Sequence, residues 1–144
     1  MSDKYFIQEA LKEAEKAMAK GEVPIGAVAV LNDKIIARRH NEAEERLDPT
    51  AHAEILVLKD AFELSNDKWL YGLHLYVTLE PCMMCYGAMF LYRIEKLIFG
   101  AHSNTCSREG DKLSQNLNHK IKIEGGILKN ECSEILSEFF TGLR

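Results

Sequence analysis

Two short clusters constrain this chain more than any other feature: His52-Ala53-Glu54, and Pro81-Cys82-Met83-Met84-Cys85 further along. Together they offer one imidazole, two thiols and one carboxylate. Cys82 and Cys85 are three residues apart, so on a helix they share a face and can hold one ion. An imidazole with two thiolates is a soft donor set that favours zinc over harder ions. Three protein ligands leave the fourth tetrahedral position open, which separates a catalytic zinc site from a closed structural one. Water in that position becomes hydroxide near neutral pH, because the metal lowers its pKa to about 7. Glu54 lies too close to His52 in the chain to be a comfortable fourth ligand and is well placed to move protons. A Cys-x-x-Cys alone also occurs in redox dithiols and structural zinc sites. The discriminating features are the His-x-Glu upstream and the proline directly before the first cysteine.

The rest of the composition limits the setting. With 144 residues the chain fits a single domain spanning 1–144. At that length it can bury roughly two-thirds of its unfolded surface without staples. An apolar content of 47% with 28% charged residues is that of a soluble globular protein. No apolar run reaches the ~18 residues of a membrane span, and Met1-Ser2-Asp3-Lys4 has none of the features of a secretory signal. Four cysteines without such a signal fit metal binding in a reducing, cytoplasmic setting better than disulfides. The net charge of −4 argues against broad, non-specific nucleic-acid binding, which depends on neutralising phosphates. Local basic faces remain possible at Arg38-Arg39-His40, at Arg93 with Lys96, and at His119-Lys120 with Lys122. Each of these alone also reads as solvated surface charge.

Apolar periodicity predicts an amphipathic helix over 3–20, ended by Gly21. A hairpin follows, with strands over 25–31 and 34–39 about an Asn32-Asp33 turn. Thr50 is a candidate N-cap for a helix over 51–64. The apolar run 73–79 reads as a central strand. Pro81 is expected in the first turn of a helix reaching Tyr92. A strand over 96–99 should stop at Gly100, and 101–118 should be loop with a helical turn near 111–116. A strand over 120–124 and a closing helix over 129–141 complete the chain. The order α-β-β-α-β-α-β-β-α implies an α/β fold, a mixed sheet with helices on both faces.

On this reading both clusters lie at helix N-termini, where the positive end of the macrodipole favours thiolate over thiol. The expected chemistry is attack by zinc-bound hydroxide on a ring carbon that bears an exocyclic amine. Glu54 would carry the water proton to a ring nitrogen and then to departing ammonia. The backbone carbonyl of Glu80 could accept a hydrogen bond from the leaving amine, its side chain serving structure. Cys132 reads as core filler on the apolar side of the last helix. Cys106, in the polar stretch, reads as filler or as a residue at the substrate entrance.

The chain resembles the bacterial tRNA-specific adenosine deaminases, which turn the wobble adenosine of an anticodon into inosine, within the cytidine deaminase-like zinc superfamily. The likeness rests on Val23-Pro24-Ile25-Gly26-Ala27-Val28, on Asn41, and on Asp48-Pro49-Thr50-Ala51-His52-Ala53-Glu54. It continues through Leu75 to Cys82, Met84-Cys85, Gly87-Ala88-Met89, Arg93-Ile94 and Phe99-Gly100-Ala101. Asn118-His119, Gly126-Ile127-Leu128, Glu131-Cys132 and Phe139-Phe140 extend it to the last helix. After Ala101 the sequence departs: family members usually carry a Lys- and Gly-containing loop and a Gly-Ser segment there.

The resemblance implies a three-layer α-β-α fold about a central five-stranded mixed sheet. It implies one zinc ion per subunit on His52, Cys82 and Cys85, with Glu54 as proton shuttle. Asn41 would contact a flipped-out base, beside backbone at Ile25, Gly26, Ala27 and Ala53 and at Glu80 and Pro81. Asn41 also reads as a turn or cap residue. Arg93, Lys96, His119, Lys120 and Phe140 are candidate RNA contacts. The expected partners are a tRNA anticodon stem-loop and a second copy of the chain, joined through the apolar helix of Met83, Met84, Tyr86, Met89, Phe90, Leu91 and Tyr92; simple burial of that helix under the sheet is the alternative. Two other readings share the zinc core: a free nucleobase or nucleoside deaminase of guanine or cytosine type, and a zinc-stabilised binding module without turnover.

Overall fold

Side-chain alternation along the strands assigns the two faces of the sheet. In a computed structural model, which describes residues 1–66, 69–103, 112–113 and 117–143, Ala27, Ala29, Leu75, Val77, Leu97 and Phe99 point to one face. Val28, Val30, Tyr76 and Ile98 point to the other. A strand buried on both faces reads as a continuous apolar run, as β1 (Gly26–Leu31) and β3 (His74–Leu79) do.

Among the described residues, four helices and five strands form three layers. The sheet order is β2-β1-β3-β4-β5, with β2 at Lys34–His40, β4 at Lys96–Ala101 and β5 at Lys122–Glu124. β1 runs antiparallel to β2 and β3, whereas β3, β4 and β5 are parallel. The expected mixed sheet is therefore present, with β3 at its centre. Helices α1 (Asp3–Ala19) and α4 (Lys129–Gly142) cover one face. Helices α2 (Ala53–Ser65) and α3 (Met83–Tyr92) cover the other. None of the helices among the described residues is long and apolar enough to cross a membrane.

Local chemistry explains the element ends. Ser2 caps α1, its hydroxyl accepting the Tyr5 N–H at 3.2 Å, and Gly21 leaves the helix at φ +77°. Asn32 and Asp33 both have positive φ, 51° and 63°, the conformation a two-residue hairpin loop requires. Two expectations shift. The strand at 96 does not stop at Gly100 but runs to Ala101. Gly100 is there for proximity: a Cβ on it would lie 2.3 Å from Cys132 Sγ, so its bareness lets α4 settle on β4. The last strand begins at Lys122 rather than Lys120, because pairing with β4 starts at Lys96–Lys122. Of the turn expected near 111–116, only 112–113 fall in the described residues and are helical.

Candidate active site

The site forms where β3 ends and two helices begin. After Leu79 the chain passes through Glu80 and Pro81 to Cys82, which is extended (φ −75°, ψ 173°) and caps α3. Pro81 thus precedes the cap instead of lying in the first turn. Cys82 already accepts the Tyr86 N–H on its carbonyl at 3.0 Å, so it is Cys82 that opens the helix. His52 likewise caps α2, again without a side-chain cap bond. Thr50 does not serve there, because its N–H and hydroxyl are both held by Asp48 Oδ1, at 2.9 and 2.7 Å. That Asx-type turn delays the helix to Ala53. The positive ends of α2 and α3 consequently meet on one spot.

His52 Nδ1 stands 3.6 Å from Cys82 Sγ and 3.6 Å from Cys85 Sγ, and the three ligand atoms lie within 4.8 Å of one another. A tetrahedral zinc ion, with bonds of about 2.1 Å to nitrogen and about 2.3 Å to sulfur, separates those two atom types by roughly 3.6 Å. The donor set and its spacing therefore fit zinc. The Pro49 carbonyl takes a further hydrogen bond from the His52 ring, the kind of outer contact that orients a ligating histidine. The Cys82 thiol is pulled down to about 4 by the hydrogen bond from Cys85 and then by His52. The same bond, with burial, pushes Cys85 upward, and the bond to Cys82 raises His52.

Glu54 completes the cluster. It is 4% exposed, and its Oε1 is buried with no hydrogen-bond partner among the described residues. Burial pushes its carboxyl up to about 7, against the opposing pull of its own backbone amide and of His52. An orphaned buried oxygen is uncommon and calls for a functional explanation. A carboxyl poised near neutrality beside a metal-competent triad supplies one.

A cavity of about 140 Å³ opens on this cluster, lined by Ile25, His52, Glu54, Leu79, Glu80, Cys82 and Ser103. Five of these were expected from sequence; Leu79 and Ser103 were not. Leu79 carries a usable signal, because ligands of α/β sheets collect at the carboxyl ends of parallel strands. Nothing in the sequence singles out Ser103. Gly26, Ala27, Asn41, Ala53 and Pro81 do not line the cavity, and Ala27 and Ala53 are fully buried. Asn41 donates its backbone N–H to the Ile25 carbonyl at 3.0 Å and its Nδ2–H to the Val23 carbonyl at 3.4 Å. Gly26 donates its N–H to Thr78 Oγ1 at 3.2 Å. The Glu80 side chain is structural as expected: Oε1 accepts the Ser103 N–H at 3.0 Å and Oε2 accepts the Tyr86 hydroxyl at 3.5 Å.

The candidate RNA contacts lie elsewhere. Lys96 faces His74 at the start of the strand pair, whereas Ala101 faces Leu79 at the site end. Five residues of strand put Lys96 roughly 17 Å from that level. Its ammonium is paired with Glu124 at 3.4 Å. Arg93 caps the far end of α3, its guanidinium 5.2 Å from the Trp69 ring centroid. His119 Nε2 lies 2.6 Å from the Ile94 carbonyl, which fits a donated bond, and Lys120 follows it. Phe140 is 49% exposed on α4 beside Phe139. None of the five lines the cavity, and Arg93, Lys96 and His119 lie at the opposite end of β3 and α3. Cys132 is fully buried, as expected of core filler, and burial pushes its thiol up to about 12. Cys106 lies outside the described residues.

Comparison with known proteins places this geometry. The MafB19-like deaminase family model matches residues 1–144. The tRNA-specific adenosine deaminase of Aquifex aeolicus is 49% identical over 100% of this chain and 97% of its own length. That of Bacillus subtilis is 46% identical over 99% of this chain and 91% of its own. A solved tRNA:A34 deaminase, from a study of A-to-I editing at the wobble position of transfer RNA, superposes with a TM-score of 0.85 at 40% identity. It covers 92% of this chain and 99% of the solved one. The chain belongs to the MafB19-like deaminases, in the branch of the tRNA-specific adenosine deaminases.

Proposed function

We propose that this chain is a zinc-dependent hydrolase that converts adenosine to inosine at the wobble position of a tRNA anticodon, acting in the cytoplasm as a homodimer with one zinc ion per subunit. The observation that carries this reading is the convergence of His52 Nδ1 and the two cysteine sulfurs beside the buried carboxyl of Glu54, whose Oε1 has no hydrogen-bond partner among the described residues. His52, Cys82 and Cys85 would hold the ion. When bound, zinc makes a water acidic enough to act near neutral pH.

The chain's own groups do the rest. Glu54 takes a proton from the attacking water and delivers it to a ring nitrogen of the purine. It then passes a proton to the exocyclic nitrogen as the carbon–nitrogen bond breaks, so that adenosine and water become inosine and ammonia. Ile25 and Leu79 give the cavity apolar walls for a flat ring. Its modest volume suits one extruded base, the way enzymes that act on bases reach them. Asn41 keeps one N–H and one lone pair beyond its local bonds, enough to meet a substrate group. Glu80 lines the same space, and the backbone of Gly26, Ala27, Ala53 and Pro81 adjoins its lining residues Ile25, His52, Glu54, Glu80 and Cys82 along the chain.

The distance between the cavity and the basic groups supports the homodimer. Met83 (60% exposed), Met84 (37%) and Leu91 (76%) leave an apolar strip along α3. A second copy packed on it would carry its own Arg93, Lys96, His119, Lys120 or Phe140 towards RNA held in the first subunit's cavity. The decisive assay is inosine formation in an anticodon stem-loop RNA with adenosine at the wobble position. Conversion confined to that adenosine is the expected outcome. A zinc-loaded protein that leaves the RNA untouched but releases ammonia from free guanine or cytosine would overturn it.

A further inference from the structure

We infer that the buried carboxylate of Glu22 is a positioning residue for the base-binding wall of the cavity, acting through the turn that follows Asn41; the inference rests on the reading of that cavity as the base site. Glu22 is 1% exposed, yet its partners are two backbone amides rather than a cation. Oε1 accepts the Glu44 N–H at 2.9 Å and Oε2 accepts the Glu45 N–H at 2.6 Å. A buried carboxylate is tolerated only when donors such as these replace its water.

The turn it grips lies between two site residues. It starts at Asn41 and returns to His52, closed by bonds from Glu42 N–H to the Ala51 carbonyl and from Asp48 N–H to the Ala43 carbonyl, both 3.0 Å. The segment that carries Glu22 also delivers Ile25 to the cavity wall. Residues 22–25 and 41–45 are therefore laced at three levels. The Glu22 carboxylate holds the far end. Asn41 Nδ2–H bonds the Val23 carbonyl in the middle, and Asn41 N–H bonds the Ile25 carbonyl beside the cavity. Ala43 N–H in turn bonds Asn41 Oδ1 at 3.2 Å, so releasing the turn frees the side-chain amide of Asn41 as well. The carboxylate comes from the segment that carries Ile25, so it ties the turn to the cavity wall as well as steadying it.

Glutamine tests this with little change of shape, because its amide group keeps one acceptor and sets a donor against a donor at the other amide. Four proteins are compared at a temperature well below unfolding: wild type, Glu22→Gln, Asn41→Ala and the double variant. For each, kinetics on the wobble-adenosine stem-loop, zinc content and amide exchange at Glu44 and Glu45 are measured. We expect Glu22→Gln to lower kcat/KM about tenfold, mainly through KM. Zinc should stay at one per chain, and exchange at Glu44 and Glu45 should be faster. In the Asn41→Ala background the same substitution should cost less than twofold. A Glu22→Gln variant with wild-type kcat/KM, or one that loses the same factor without Asn41, overturns the positioning role. Inactive wild type would defeat the substrate reading instead, and the clamp is then judged by exchange alone: unchanged exchange in Glu22→Gln overturns it.

Discussion

At the scale of single residues, opposite shifts set Glu54 and Cys82 apart, one driven by burial and the other by hydrogen bonds. Glu54 is a carboxyl pushed up to about 7 by burial, while Cys82 is pulled down to about 4 by hydrogen bonds from its neighbours. One group is poised to exchange protons and the other to stay a thiolate, the division that a metal-assisted hydrolase needs. Glu54→Gln is expected to keep one zinc per chain and to lose at least about a hundredfold in turnover, the lower end of what proton transfer contributes. His52→Ala and Cys82→Ala should lose the metal and the activity together. Metal analysis of purified variants checks both, and an empty Glu54→Gln site would make that carboxylate a ligand instead. The triad was legible in sequence because few residue types bind zinc and their spacing is narrow. Ser103 was not, because a serine reaches a cavity only through the path of the chain, here set by its N–H on Glu80.

At the scale of elements, close backbone approaches decide how helices meet the sheet. A Cβ on Gly26 would lie 2.0 Å from the Ala10 carbonyl oxygen and 2.6 Å from the Ala14 amide nitrogen, both backbone atoms of α1. Gly26→Ala must therefore move a helix or a strand. A cost of roughly 2–3 kcal/mol, the upper part of the overpacking range, is expected. It should appear as a melting midpoint lower by roughly 8 °C. Cost-free substitution would show that α1 can shift. The polar seam between α1 and β2 carries its own signature. Glu9 is held below the usual carboxylate range by the hydrogen bond from Lys12, against its burial and with help from Arg38. A lowered folded pKa adds stability above the unfolded value of about 4.5 and loses it as pH falls through the folded one. Acid titration should therefore loosen this seam below about pH 4.5, and Glu9→Gln should flatten that part of the stability curve. Chemical denaturation between pH 3 and 6, roughly the range of the linkage, measures the slope.

At the scale of the whole molecule, the site sits at one end of the sheet and Arg93, Lys96 and His119 at the other. In the proposed dimer, a second chain packed along α3 would bring its own Arg93 and Lys96 towards RNA held at the first chain's cavity. Leu91 is 76% exposed, so its replacement should spare the fold. Leu91→Glu is expected to convert a dimer to a monomer in sedimentation velocity and to weaken turnover on the stem-loop, with zinc content unchanged. A monomeric wild type with full activity would remove the need for a second subunit.

Periodicity and spacing determined the element order, the central place of β3 and the identity of the metal-competent triad. Each depends on local steric rules or on residue chemistry that a linear string displays. The starts of α2 and α3 needed the folded chain, since Asp48 and Thr50 settle their own turn before the helix can begin. Gly100 read as a strand stop from sequence, and only packing against Cys132 shows it as a place where a helix comes close. Glu22 carried no local mark at all: its two partners lie more than twenty residues downstream. The remoteness of Arg93 and Lys96 from the cavity likewise follows from strand direction and register, long-range pairings that no local pattern encodes.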